Sequence, residues 1–205
     1  ATLLVSAIYQ DVLGRAPESA GLASWVQLLH GGVSPLVVAN AITGSTEFRS
    51  ALIRQAYGDY LGREPSPAEV ALWLPALASG TPQQLEQAFA SSTEFAILAG
   101  GTDAGFVTAL YETVLGRTPS SAEASAWVAA LSSGAVSRGA LPGAFVFSQE
   151  HLGAIVDAAY DGLLGRAAEA SGRQSWIAYL ATFGRLEGML AGFVGGSEYR
   201  QLAGA

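Results

Sequence analysis

The chain has 205 residues, half of them apolar, a net charge of −7, no cysteine and no lysine among its 10 basic residues. That balance excludes disulfides, thiolate metal sites and a thiol nucleophile, and it makes nucleic acid and anionic lipid poor partners, because phosphates are bound by basic patches. Half-apolar composition supplies a buried core. Gly, Pro or charge interrupts each apolar stretch before the ~20 residues of a membrane span, so membrane insertion is not expected.

The first predicted helix carries Leu4, Ile8 and Val12 on one stripe and contains Tyr9. It opens the motif Tyr9-Gln-Asp-Val-Leu-Gly-Arg15, in which Gly14 can take the positive φ that closes a helix C-terminus. Pro17 prevents continuation. A second helix follows with Leu22, Trp25, Val26 and Leu29 at the spacing of one apolar face, and Gly31-Gly32 ends it. Ser34-Pro35 starts a third helix as N-cap and first-turn proline. The unit closes on Ser45-Thr-Glu47-Phe48, a serine cap with a glutamate placed for the helix dipole.

The same order returns three more times. Tyr57 to Arg63, Tyr111 to Arg117 and Tyr160 to Arg166 repeat the motif, and Trp25, Trp73, Trp127 and Trp176 each follow their tyrosine by 16 residues. Fixed-period self-similarity of this kind predicts a repeat architecture. Pro65 and Pro119 follow two of these motifs, whereas the fourth has Ala168. Pro75 is expected to kink the second Trp helix. The closing elements are Ser92-Thr-Glu94-Phe95, Ser148-Gln-Glu150-His151 and Gly196-Ser-Glu198-Tyr199.

Junction lengths suggest a second level of order. Glu47 to Tyr57 and Glu150 to Tyr160 each leave room for one continuous helix, while Gly100-Gly101-Thr102 interrupts the stretch from Glu94 to Tyr111. No strand alternation or Asn-Gly turn is present. The expected fold is therefore all-α, with four helical repeats arranged as two duplicated lobes, residues 1–100 and 102–205.

Tyr-x-x-x-Leu-Gly-Arg-x-Pro, then Trp, then Gly, then Ser-x-Glu-Phe resembles the DUF4214 module of bacterial proteins and is more distantly similar to phycobilisome linker domains. The resemblance spans nearly the whole chain. It implies an appended helical module of large secreted or surface proteins, including S-layer-like and RTX-type chains, and it brings no catalytic residues to transfer. An extracellular or cell-surface location follows from this resemblance alone.

Repeated positions are expected to serve packing. Tyr9, Trp25, Tyr57, Trp73, Tyr111, Trp127, Tyr160 and Trp176 are the expected structural core, favoured over glycan-stacking platforms because each Trp lies within an apolar stripe. Arg15/Glu47, Arg63/Glu94, Arg117/Glu150 and Arg166/Glu198 are the expected ion pairs, latching each turn to a later helix; anion binding by free arginines is the alternative. Glu18, Glu64, Glu69, Glu123 and Glu169 cluster after the turns without the spacing of a calcium loop and read as first-turn acidic residues. His30 and His151 lack metal-ligand spacing to one another. No Gly-x-Ser-x-Gly, His-Glu-x-x-His or phosphate-cradling loop is present, so no catalytic residue, metal or cofactor is expected.

Two functions remain. One is a non-catalytic structural or assembly module of a surface layer, sheath, filament or adhesin, acting through protein partners or self-association. The other is a glycan- or peptide-binding module with a groove between the lobes, lined by the off-pattern aromatics Tyr60, Phe106, Phe147, Tyr179 and Phe183.

Overall fold

The four Leu-Gly-Arg glycines each adopt the left-handed conformation that stops a helix, with φ between 62° and 69°. The computed structural model describes residues 1–204 and forms fourteen α-helices and no strand among the described residues. In the first motif-bearing segment, α1 (Thr2–Leu13) carries Tyr9, α2 (Ser19–His30) carries Trp25 and α3 (Pro35–Thr43) follows. The second runs through α4 (Thr46–Leu61), α5 (Pro67–Ser79), α6 (Pro82–Ala90) and α7 (Thr93–Leu98). The third has α8 (Asp103–Leu115), α9 (Ser121–Ser132) and α10 (Leu141–Val146). The fourth has α11 (Gln149–Leu164), α12 (Ala170–Phe183), α13 (Leu186–Val194) and α14 (Ser197–Leu202). No described helix is long and apolar enough to cross a membrane.

Caps fall where the side chains provide them. Ser34 accepts from the Val37 N–H, and Thr81 forms a capping box with Gln84. Ser45, Ser92 and Ser148 each accept a backbone N–H three residues on, whereas Gly196 has no side chain to do so. α4 and α11 run unbroken from the closing element into the next tyrosine, as the junction lengths predict. Between α7 and α8 the chain turns through Gly100 and Gly101, both at positive φ. α5 continues through Pro75 to Ser79.

The compact units are not the expected halves 1–100 and 102–205. One is Leu52–Ala154; the other combines Ala1–Ala51 with Ile155–Ala205. The break at 99–102 exists, but the packing of the third helices decides the grouping. α6 lies against α10 within the continuous unit, and α3 lies against α13 within the discontinuous one. Each unit then has its own core. Phe106, Val107, Leu110, Leu141 and Val146 are buried in the first, and Val5, Ile8, Ala39, Ala191 and Val194 in the second. The unit boundaries fall inside α4 and α11.

The Trp-bearing helices are less buried than their stripes suggest. α2 and α9 have no fully buried residue, and all four tryptophans are half-buried. Each of these two helices packs chiefly on one neighbour, α2 on α1 and α9 on α8, so its apolar face is covered from one side.

Candidate functional site

The strongest recurring constellation is built around the motif arginine. After the left-handed glycine, the N–H of Arg63, Arg117 and Arg166 donates to the carbonyl of the tyrosine six residues earlier, at 3.2–3.4 Å. This closure folds the chain back on its own helix. In all four motifs the guanidinium lies over the tyrosine ring, at 5.3 Å for Arg15 on Tyr9, 4.8 Å for Arg63 on Tyr57, 4.8 Å for Arg117 on Tyr111 and 4.9 Å for Arg166 on Tyr160. These are cation–π distances. The spacing of the motif thus sets the spacing of the stack.

Each arginine also grips its expected glutamate with two N–H groups. The Nη2 contacts are 2.7 Å from Arg15 to Glu47, 3.2 Å from Arg63 to Glu94, 3.1 Å from Arg117 to Glu150 and 2.9 Å from Arg166 to Glu198. Nε makes the second bond in every case. A second carboxylate, whose link to the arginine sequence reading missed, completes the cluster: Glu18 at 2.9 Å, Glu69 at 2.9 Å, Glu123 at 2.8 Å and Glu169 at 2.7 Å. The signal was available, because these lie three or six residues after the arginine. Glu64, by contrast, is exposed.

Hydrogen bonds from the arginines favour the charged form of Glu47, Glu69, Glu94, Glu123, Glu150, Glu169 and Glu198. Hydrogen bonding to Arg63, then to the Ser66 cap, lowers Glu69 from 4.5 to about 2. Arg117, then the Ser120 cap, does the same for Glu123, also to about 2. Glu47, Glu94, Glu150 and Glu198 are lowered mainly by the hydrogen bond from their own arginine. Each arginine side chain remains over a third exposed and its latch glutamate nearly half. The four clusters are surface clasps, each one arginine shared by two carboxylates, with donors and acceptors already engaged. Among the described residues no group of three or more His, Asp or Glu is placed to hold a metal.

The four tyrosines are buried, at 8% exposure or less. Trp25 and Trp73 donate their indole N–H to the Tyr9 and Tyr57 hydroxyls at 3.0 and 3.3 Å. A third aromatic, which sequence reading missed, packs with these pairs. Phe89 meets Tyr57 and Trp73, Phe145 meets Tyr111 and Trp127, and Phe193 meets Tyr160 and Trp176, with centroids 4.7–5.7 Å apart. Each sits three residues before the Ser or Gly cap of the closing element. Ile42 occupies that place in the first segment.

His151 replaces the aromatic of the closing element and forms a separate, part-buried group. Its Nδ1 donates to the Val114 carbonyl at 2.8 Å, and its Nε2 lies 2.7 Å from Glu86, which also accepts from the Tyr60 hydroxyl at 3.3 Å. Burial opposes the imidazolium, but the hydrogen bond and charge of Glu86, with the Val114 carbonyl, outweigh it and raise the pKa above 6.5. Burial and Glu86 also push the Tyr60 hydroxyl up. His30 is exposed at the end of α2.

Off-pattern aromatics do not share one surface. Tyr60 and Phe106 are core residues, whereas Phe147 and Phe183 are exposed. Tyr179 lies between Trp176 and Phe183 along α12, with centroids 5.5 and 5.2 Å apart. A recess of about 110 Å³ in the 52–154 unit is lined by Trp73, Ala76, Leu77, Thr81, Gln84 and Leu85. Its polar side chains are already spent, Thr81 and Gln84 on their capping box and Trp73 on Tyr57.

Against known proteins, the family model described as "Domain of unknown function (DUF4214)" matches residues 3–52 and 86–155, more than half of the chain. No curated protein and no solved structure matches.

Proposed function

The chain belongs to the DUF4214 family, and on that premise we propose that it is a non-catalytic assembly module of a bacterial extracellular or cell-surface protein, acting through protein–protein contacts. The observation that carries this reading is a set of large apolar residues left exposed away from the Trp stripes. Leu72 is 75% exposed, Ile97 69%, Leu202 62% and Leu3 61%. Only 13% of the chain is charged, so covering such residues desolvates few ions. The repeated residues support the same view, since the arginine clasps and aromatic triads are consumed in holding helices together. We attribute the fourfold recurrence of the clasps, and the threefold recurrence of the triads, to internal duplication of one helical repeat. The surface location is motivated by the family resemblance of the motifs.

A second reading, glycan binding, draws on one feature: the row Trp176, Tyr179 and Phe183 along α12, where the last ring is 60% exposed. Sizing of the purified chain over a concentration series, run beside a glycan array, separates the two. Reversible self-association is expected, and the contact should bury at least ~1,000 Å² in total. Strictly monomeric behaviour with selective glycan binding that Phe183→Ala abolishes would promote the second reading.

A further inference from the structure

The two compact units pair their segments in the same way, but only one of them is covalently continuous. In the 52–154 unit the second segment leads into the third: α7 passes to α8 through Gly100 and Gly101, Phe95 meets Phe106 at 5.9 Å, and α6 packs on α10. In the other unit the fourth segment takes the place of the second, and the first takes the place of the third. Tyr199, at the position of Phe95, donates to Asp11 on α1 at 2.5 Å, and α13 packs on α3. Gly204 lies against Leu3, as a Cβ on that glycine would stand 3.6 Å from the leucine methyl. Segments four and one are remote in sequence, so this second pairing is held by non-covalent contacts alone.

We propose that this pairing is exchangeable between molecules: residues 155–205 of one copy dock on residues 1–51 of a second copy through the same α13–α3 contact, giving head-to-tail assembly. The inference rests on the assembly reading above and names its partner, a second copy of this chain. The contact has the quality of a domain core. Ala39, Ala191 and Val194 are fully buried in it, and the approach at Gly195 is so close that a Cβ would stand 2.8 Å from the Leu36 Cα. Separating the pair exposes two apolar faces, each complementary to the other, so a freed face is satisfied by its own partner or by that of a neighbour. Closed and exchanged forms make the same contacts, and local concentration chooses between them. Crowding on a surface favours exchange.

The test uses the full chain, which has no cysteine of its own. Leu3→Cys and Gly204→Cys are introduced into separate chains, which are unfolded, mixed, refolded at high concentration and oxidised. The expected result is a mixed disulfide between the two variants as the dominant cross-link, together with oligomers whose share grows with refolding concentration. A circularised chain, in which a flexible linker joins residue 205 to residue 1, should stay monomeric under the same conditions. Oligomers that persist in the circularised chain, without the mixed disulfide, overturn the exchange while leaving association through another surface. Monomers throughout, in linear and circular chains alike, overturn both the exchange and the assembly reading.

Discussion

Each motif arginine works on four groups at once: a tyrosine ring, two carboxylates and, through its backbone in three of the segments, the tyrosine carbonyl. Lysine cannot replace it, because the planar fork supplies the paired bonds and the flat cation supplies the stack. Removing the fork should be visible in the partner's titration. Arg117→Gln is expected to move Glu123 from about 2 back toward 4.5, with part of the depression retained through Ser120, as read by carboxyl NMR. Glu69 and Glu123 have folded values below their unfolded one, so their contribution is complete above pH 4.5 and is lost as pH falls toward about 2. His151 has the opposite sign. Its raised value means that the stability it adds is complete below pH 6.5 and is lost as pH rises through the folded value. The groups facing it are Glu86 on α6, Tyr60 on α4 and the Val114 carbonyl on α8. His151→Phe restores the aromatic found at Phe48, Phe95 and Tyr199. Thermal melts should show the parent chain losing stability as pH rises through the folded His151 value, and this variant should lack that decline.

At the scale of elements, the half-buried tryptophans and the buried phenylalanines of the third helices differ in energetic weight. Phe145 on α10 is 3% exposed and touches both Tyr111 and Trp127. Phe145→Ala is expected to cost ~3–5 kcal/mol, the range for a large buried aromatic. Trp127→Ala should cost roughly half as much, because less of its area is removed from water. Denaturant melts of the two variants test that order, and a larger loss at Trp127 would show that the Trp helices anchor the fold after all. The α3–α13 contact depends on a missing side chain. Gly195→Ala places a Cβ 2.8 Å from both the Leu36 Cα and the Ala191 carbonyl oxygen, backbone atoms on either side. Overpacking of this kind typically costs ~1–3 kcal/mol. The same measurement checks it.

At the scale of the molecule, the unit 52–154 is the one that needs no distant segment. A fragment of those residues should melt cooperatively by circular dichroism, whereas residues 1–100, which separate α3 from α13 and α6 from α10, should not. Proteolysis of the intact chain should nick first near Gly100–Gly101, which are exposed and join two short-range helical elements. Helices, their stops at Gly14, Gly62, Gly116 and Gly165, the serine caps and the Arg–Glu clasps were all legible in the sequence. Each depends on contacts between residues at most 33 positions apart at a recurring spacing, so the sequence carries the information. The second carboxylates at Glu18, Glu69, Glu123 and Glu169 were visible as acidic residues, but their attachment to the arginine needed the turn's geometry. Phe89, Phe145 and Phe193 stayed hidden because a phenylalanine in an apolar helix looks like any other core residue. Which third helix meets which was decided only in three dimensions. The apolar faces of α3, α6, α10 and α13 are chemically interchangeable, so periodicity reports that each must be covered and leaves the choice of partner to the packing of the folded chain.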